Sequence, residues 1–293
     1  MLFLRAWLFI CCEFCLIFVL NMPIDYDSFI HPQDKAALDA LKKVPFFDTA
    51  LKMFMKVYDE RVQHAINMAS NIRLSRDQYP EIYASLVDIC AKLGIEVPEL
   101  YLKLDPNPNA WTYGETKPFI VITTGLRDLL TSREIYAALA HECGHIICHH
   151  VLYKTVAARL MQLGTSIFGI AAKFAQPLVW AFQYWNRKSE LSADRVAVYC
   201  LNETDSFVRM AMRFCGGGKE NFSGRMVENF MKQAETYEKE LNDSVYEQAL
   251  QAVYIMDMGH PFMTVRCLEA VRWFKDNRNT LPKYANRGRL LWR

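Results

Sequence analysis

Two kinds of hydrophobic pattern divide the chain. Up to about residue 133, helical stretches alternate with short β-rich runs. From Glu134 to about Lys275, apolar positions recur at helical spacing almost throughout. The first part predicts helices over Asp34–Lys43 and Phe46–Met68, with Pro45 between them, and over Tyr79–Leu93, closed by Gly94. Ile72-Arg73-Leu74, Pro98–Leu104 and Pro118–Thr123 read as strands, the last two joined by the polar segment Asp105–Lys117. The second part opens on good helix formers from Glu134 to Leu152, and a later helix begins near Glu190, with Ser189 as its N-cap. Ala193, Val196, Ala197 and Cys200 give that helix an apolar side. The predicted fold class is α+β, mostly helical with a small β-sheet against the helical body.

Two apolar segments raise the question of a membrane. Met1 to Leu20 is near the ~20 residues that a span needs, although Arg5 and Glu13 interrupt it. It reads as an uncleaved anchor, as sequence upstream of a true start at Met22, or as a signal peptide, for which Val19-Leu20-Asn21-Met22-Pro23 offers no small-residue cleavage site. The first reading implies membrane association and the second a cytoplasmic protein. From Leu160 to Asn186 the only charge is Lys173, which leaves two pieces each shorter than a span, and Pro177 interrupts the second. This stretch reads either as a hairpin in the core or over a cleft, or as an element dipping into a membrane.

Composition narrows the remaining choices. A chain of 293 residues with 52% hydrophobic and 23% charged residues can bury a full core. A net charge of +2 gives no reason to expect a nucleic acid partner. The nine cysteines are odd in number and scattered through apolar helical stretches, which is not a disulfide framework and favours a reducing compartment.

The chemistry is concentrated in His141-Glu142-Cys143-Gly144-His145, an H-E-x-x-H motif within the Glu134–Leu152 run. At ~100° per residue, side chains four apart share a helical face, so His141 and His145 can offer two neutral imidazoles to one zinc ion. Glu142 lies beside them, placed to take a proton from a metal-bound water. Cys143 is two residues from each His and faces away from them; packing behind the site suits it better than ligation. With seven His in the chain, chance produces such a motif in roughly one chain per hundred.

The third ligand separates the classes of zinc peptidase. The metzincin pattern requires Gly and His where this chain has Cys148 and Val151, so it does not apply. The gluzincin solution takes a Glu from a later helix, and Glu190-Leu191-Ser192-Ala193-Asp194 fits it. Glu190 and Asp194 share a helical face. Glu190 can reach the metal while Asp194 accepts a hydrogen bond from the outer nitrogen of a ligating His. His149, four residues after His145, is a weak further ligand; His150, His31 and His64 carry no supporting pattern.

H-E-C-G-H, followed some forty residues later by E-L-S-A-D, resembles the gluzincin family that contains HtpX and the CAAX prenyl endopeptidases, family forty-eight of the metallopeptidases. Asn107-Pro108-Asn109-Ala110-Trp111-Thr112-Tyr113-Gly114 resembles its N-A-aromatic edge strand, and His260-Pro261 with Arg266 its downstream His-Pro segment. The resemblance spans about Tyr79 to Trp273. Beside the apolar leader or anchor read over 1–21 and the helical N-terminal region over 22–75, the resemblance implies a zincin-like metallopeptidase domain over 76–293. It also implies one Zn2+ per chain at His141, His145 and Glu190, with Glu142 as general base and a protein or peptide substrate lying along Asn109 and Ala110. Two roles stay open for His260: a hydrogen bond to the oxyanion, or helix entry with Pro261 at the first helical position. The chain lacks the full set of long apolar spans of the membrane-embedded members, so prenylated substrates are not implied. The expected activity is zinc-dependent peptide hydrolysis by an endopeptidase. The alternatives are a zinc-stabilised binding or chaperone-like protein with little turnover, and a membrane-integrated protease of quality control.

Overall fold

The structure, a computed structural model, describes residues 24–45, 47–57, 59–114, 116–158, 172–218, 221–243 and 262–281. Helices α1 (Pro32–Lys42), α2 (Phe47–Val57) and α3 (Glu60–Ser70) precede strand β1 (Ile72–Arg73). Then come α4 (Pro80–Leu93), β2 (Glu99–Lys103), β3 (Ala110–Tyr113), β4 (Phe119–Thr123), the short α5 (Thr124–Leu129) and α6 (Ser132–Ile147). Residues 151–158 are again helical. They are followed by α7 (Ala172–Leu201), α8 (Asp205–Phe214), α9 (Gly224–Asp243) and α10 (Met263–Asn277).

The sheet has the order β1-β2-β4-β3, with β2 and β4 parallel and the outer pairs antiparallel. All of β4 is buried, as its unbroken apolar run requires of a central strand. Alternation then sorts its neighbours. Leu100, Leu102, Ile120 and Ile122 enter the main core, while Tyr101, Phe119 and Val121 form a small cluster on the other face with Trp111 and Tyr113. Strand β3 is one edge of the sheet, opposite β1, and it packs against α6.

Helix α6 is the centre of the molecule, buried from Glu134 to His145 and packed against α4, α7 and α8. A helix apolar on nearly all sides belongs in a core. Its start is fixed by a capping box: Thr131 Oγ1 accepts from the Glu134 amide at 3.4 Å and Glu134 Oε2 accepts from the Thr131 amide at 2.8 Å. Arg213 Nε of α8 donates to the same carboxylate at 2.6 Å, which neutralises a buried charge. A second cluster joins Ala37 and Leu41 of α1 and Phe47 of α2 to Val156, Leu178, Phe182 and Trp185.

Several elements differ from the pattern-based expectation. The single helix expected over Phe46–Met68 is two, because the Asp59 carboxylate accepts from the Arg61 amide and starts a new helix. The run expected to be helical from Glu134 to Leu152 ends at Ile147, and His149 takes φ +57°. Ser189 is not an N-cap: it lies inside the 30-residue α7, its hydroxyl donating to the Asn186 carbonyl at 2.8 Å. Pro177 falls within α7, near its start, where few backbone bonds are at stake. Of the apolar stretch Leu160–Asn186, residues 160–171 lie outside the described residues, as do the leader 1–21 and His260. Among the described residues no helix is long and apolar enough to cross a membrane.

Candidate metal centre

Gly144 sets how close the two site helices come. A Cβ there would lie 2.9 Å from Ala193 Cα and 3.0 Å from its carbonyl oxygen, so α6 and α7 cross almost backbone to backbone. That approach carries the α7 carboxylates to the α6 imidazoles. His141 Nε2 and His145 Nε2 are 3.2 Å apart, His141 Nε2 is 3.3 Å from Glu190 Oε2, and His145 Nε2 is 3.3 Å from Glu190 Oε1. All three side chains are buried. Donors at ~2.0–2.1 Å on a tetrahedral zinc ion would stand about 3.3 Å from one another. The residues fit the metal in both donor type and spacing.

Both imidazoles are held from behind. His141 Nδ1 is 2.8 Å from Asp194 Oδ1, and Arg266 of α10 grips that carboxylate through Nε at 2.7 Å and Nη2 at 2.6 Å. Arg266 Nη1 also lies 3.2 Å from Glu190 Oε2, so one buried guanidinium balances two buried carboxylates. His145 Nδ1 is 3.0 Å from His150 Nδ1.

The electrostatics of the site follow from these contacts. Burial opposes charging of His141, but its hydrogen bonds to Asp194 and Glu190 prevail and lift it to about 9. Burial and the Lys154 charge push His145 well below the ordinary imidazole value. Burial would raise the Asp194 carboxyl, yet Arg266 holds it below the usual range. Lys154 Nζ donates to Glu190 Oε1 at 2.7 Å and stands 3.1 Å from His145 Nε2.

Glu142 is buried beside this cluster, and its Oε2 accepts from Thr112 Oγ1 of β3 at 2.6 Å. It borders two clefts. One, of about 250 Å³, is lined by Pro108, Leu126, Ala138, Met210, Phe214 and Met263 together with His141 and Arg266. The other, of about 210 Å³, runs past Trp111, Thr112, Tyr113, Lys154 and Asn186. Asn109 and Ala110 border both clefts with Glu142.

The structure therefore brings together His141, Glu142, His145, Glu190 and Asp194, with Asn109 and Ala110 at the cleft. His149 does not join them, because it stands exposed beyond the end of α6. Cys143 lies against Cys90, whose contact, together with burial, pushes its thiol well above the ordinary range. Sequence reasoning missed His150, Lys154 and Thr112, and gave Arg266 no role. Arg266 had a signal in its place after the His-Pro segment, and Thr112 in its place within the edge-strand segment.

The sequence model of Peptidase family M48 matches residues 77–273. Plastoglobule-localized metallopeptidase 48, chloroplastic, of Arabidopsis thaliana is 30% identical over 267 residues, covering 90% of this chain and 77% of that protein. A Protease HtpX homolog of Pelotomaculum thermopropionicum is 31% identical over 122 residues, 41% of this chain and 43% of that protein. Protease HtpX of Legionella pneumophila is 36% identical over 95 residues, 32% of this chain and 33% of that protein. The chain thus spans under half the length of these two HtpX proteins. The family match contains the whole His141–His145–Glu190 cluster, and the chain belongs to Peptidase family M48, as a metallopeptidase.

Proposed function

We propose that the chain is a zinc-dependent endopeptidase in which His141, His145 and Glu190 hold one zinc ion and Glu142 is the general base. When bound, zinc would lower the pKa of a water molecule toward ~7 and polarise the scissile carbonyl. Glu142 would take the proton of that water and pass it to the leaving amine. Its buried carboxylate accepts a hydrogen bond from Thr112, which supports this reading. The substrate would lie extended along the outer edge of β3, the last strand of the sheet, where Asn109 and Ala110 border the clefts on either side of Glu142. The apolar wall of Leu126, Met210, Phe214 and Met263 suits an apolar substrate side chain.

The donor spacing of 3.2–3.3 Å carries this reading. A binding protein with little turnover would need the ligands but not Glu142 between two clefts. The plant relative's name places that protein at plastoglobules. By extension we propose that this chain too is membrane-associated, with residues 1–21 as the candidate anchor. The test of the chemistry is Glu142→Gln. It should keep zinc, read by metal analysis, while peptide hydrolysis falls ~10²–10⁴-fold. Equal activity in variant and wild type would exclude Glu142 as the base.

A further inference from the structure

The orienting group behind His141 comes from the motif helix that carries Glu190; the one behind His145 does not. For His145 Nε2 to present its lone pair to a metal, its ring proton must sit on Nδ1, and that atom meets His150 Nδ1 at 3.0 Å. His150 must then accept at Nδ1 and carry its own proton on Nε2. That atom lies 2.9 Å from Asp34 Oδ2. Every member of the chain of contacts is buried: His145 at 0%, His150 at 2% and Asp34 at 1% exposure.

Asp34 is held as an acceptor from several sides. Trp185 Nε1 donates to its Oδ1 at 3.0 Å, and the Ser192 hydroxyl donates to its Oδ2 at 2.5 Å. Ser192 in turn accepts from the His31 amide at 2.9 Å. Asp34 lies in the first turn of α1, where the positive end of the helix dipole favours an anion. The middle residue of Glu190-Leu191-Ser192-Ala193-Asp194 therefore anchors α1, while the first and last serve the metal cluster directly. Helix α1 lies outside residues 77–273.

We propose that Asp34, acting through His150, is a positioning residue for the metal ligand His145, so that the metal centre extends into the N-terminal helix. The proposal rests on the reading of His141, His145 and Glu190 as zinc ligands. The two imidazoles would then have matched supports: an Asp194–Arg266 pair behind one, and a His150–Asp34 pair behind the other. Loss of such support weakens metal binding ~10–100-fold in well-studied sites.

The test is zinc affinity of the full-length protein by chelator competition, with the visible spectrum of the cobalt-substituted form as a second readout. Asp34→Asn and His150→Leu should each weaken zinc ~10–100-fold and alter the cobalt bands. His150→Gln, which keeps an acceptor and a donor, should recover part of the affinity lost in His150→Leu. Val121→Ala trims a buried side chain in the small cluster on the far face of the sheet and leaves the relay whole. It should lower thermal stability with zinc affinity near that of wild type. If Asp34→Asn does not fold, the two His150 variants carry the comparison. Wild-type affinity in His150→Leu, or an equal loss in Val121→Ala, overturns the relay. A wild-type protein that binds no zinc fails at the metal centre itself and takes the relay with it.

Discussion

Lys154 and Arg266 place two cations against one carboxylate, but only one of them is committed elsewhere. Arg266 is anchored by two hydrogen bonds to Asp194, whereas Lys154 reaches Glu190 from a flexible stem that also lines the second cleft. A metal ion taking Glu190 must break that ion pair and then share the site with an ammonium group. Lys154 therefore competes with the metal, and Lys154→Met should tighten zinc binding, by about tenfold for each 1.4 kcal/mol of competition removed. Isothermal titration of the two proteins measures it, and unchanged or weaker binding would show that Lys154 does not oppose the ion. At this scale, the grouping of His141 with His145 and of Glu190 with Asp194 was legible because helical periodicity converts a spacing of four into a shared face. His150 and Asp34 were not, since their contact joins residues far apart in the chain through packing that no local pattern encodes.

At the scale of elements, the site depends on how closely two helices cross. Gly144 and Ala193 allow α6 and α7 to touch through their backbones, and one methyl at Gly144 would have to displace main chain rather than a flexible side chain. Gly144→Ala should cost ~1–3 kcal/mol of stability and, by parting His141 and His145 from Glu190, weaken zinc as well. Chemical denaturation and zinc titration of the variant check the two effects separately. Loss of stability with full zinc affinity would mean that the ligands follow α6 rather than the crossing. The same elements show where pattern reading stopped. No Gly or Pro interrupts the run between Gly144 and Leu152, yet the chain turns at Cys148–His149, where weaker helix formers gather, His149 takes φ +57° and His150 meets Asp34 of α1. Strand β4, apolar at every position before Thr123, was readable as a strand because a central strand needs no alternation.

At the scale of the molecule, the residues around the proposed ion come from α1, α6, the 148–150 turn, α7 and α10, so the site exists only when the whole chain is folded. Metal binding and global stability should then be linked: zinc at a hundred times its dissociation constant would add about 2.7 kcal/mol to unfolding. The metal-free protein should also be acid-labile, and the sign follows from its carboxylates. Burial raises Asp34, but His150, Ser192 and Trp185 hold it below its ordinary value. Hydrogen bonding from His31 keeps Glu269 low, and contacts from Tyr101, His64 and Arg73 outweigh burial at Glu99. A carboxyl whose folded value is depressed contributes stability that is present above its unfolded value, near pH ~4, and is lost as pH falls through the folded value. Thermal melts of the chelator-treated protein should therefore be little changed by this effect at neutral pH and drop steeply below about pH 4. At pH 7 the melting temperature should climb with zinc concentration in wild type and much less in Glu190→Gln. A melting temperature that ignores zinc while metal analysis shows it bound would mean that the ligands assemble without the rest of the fold.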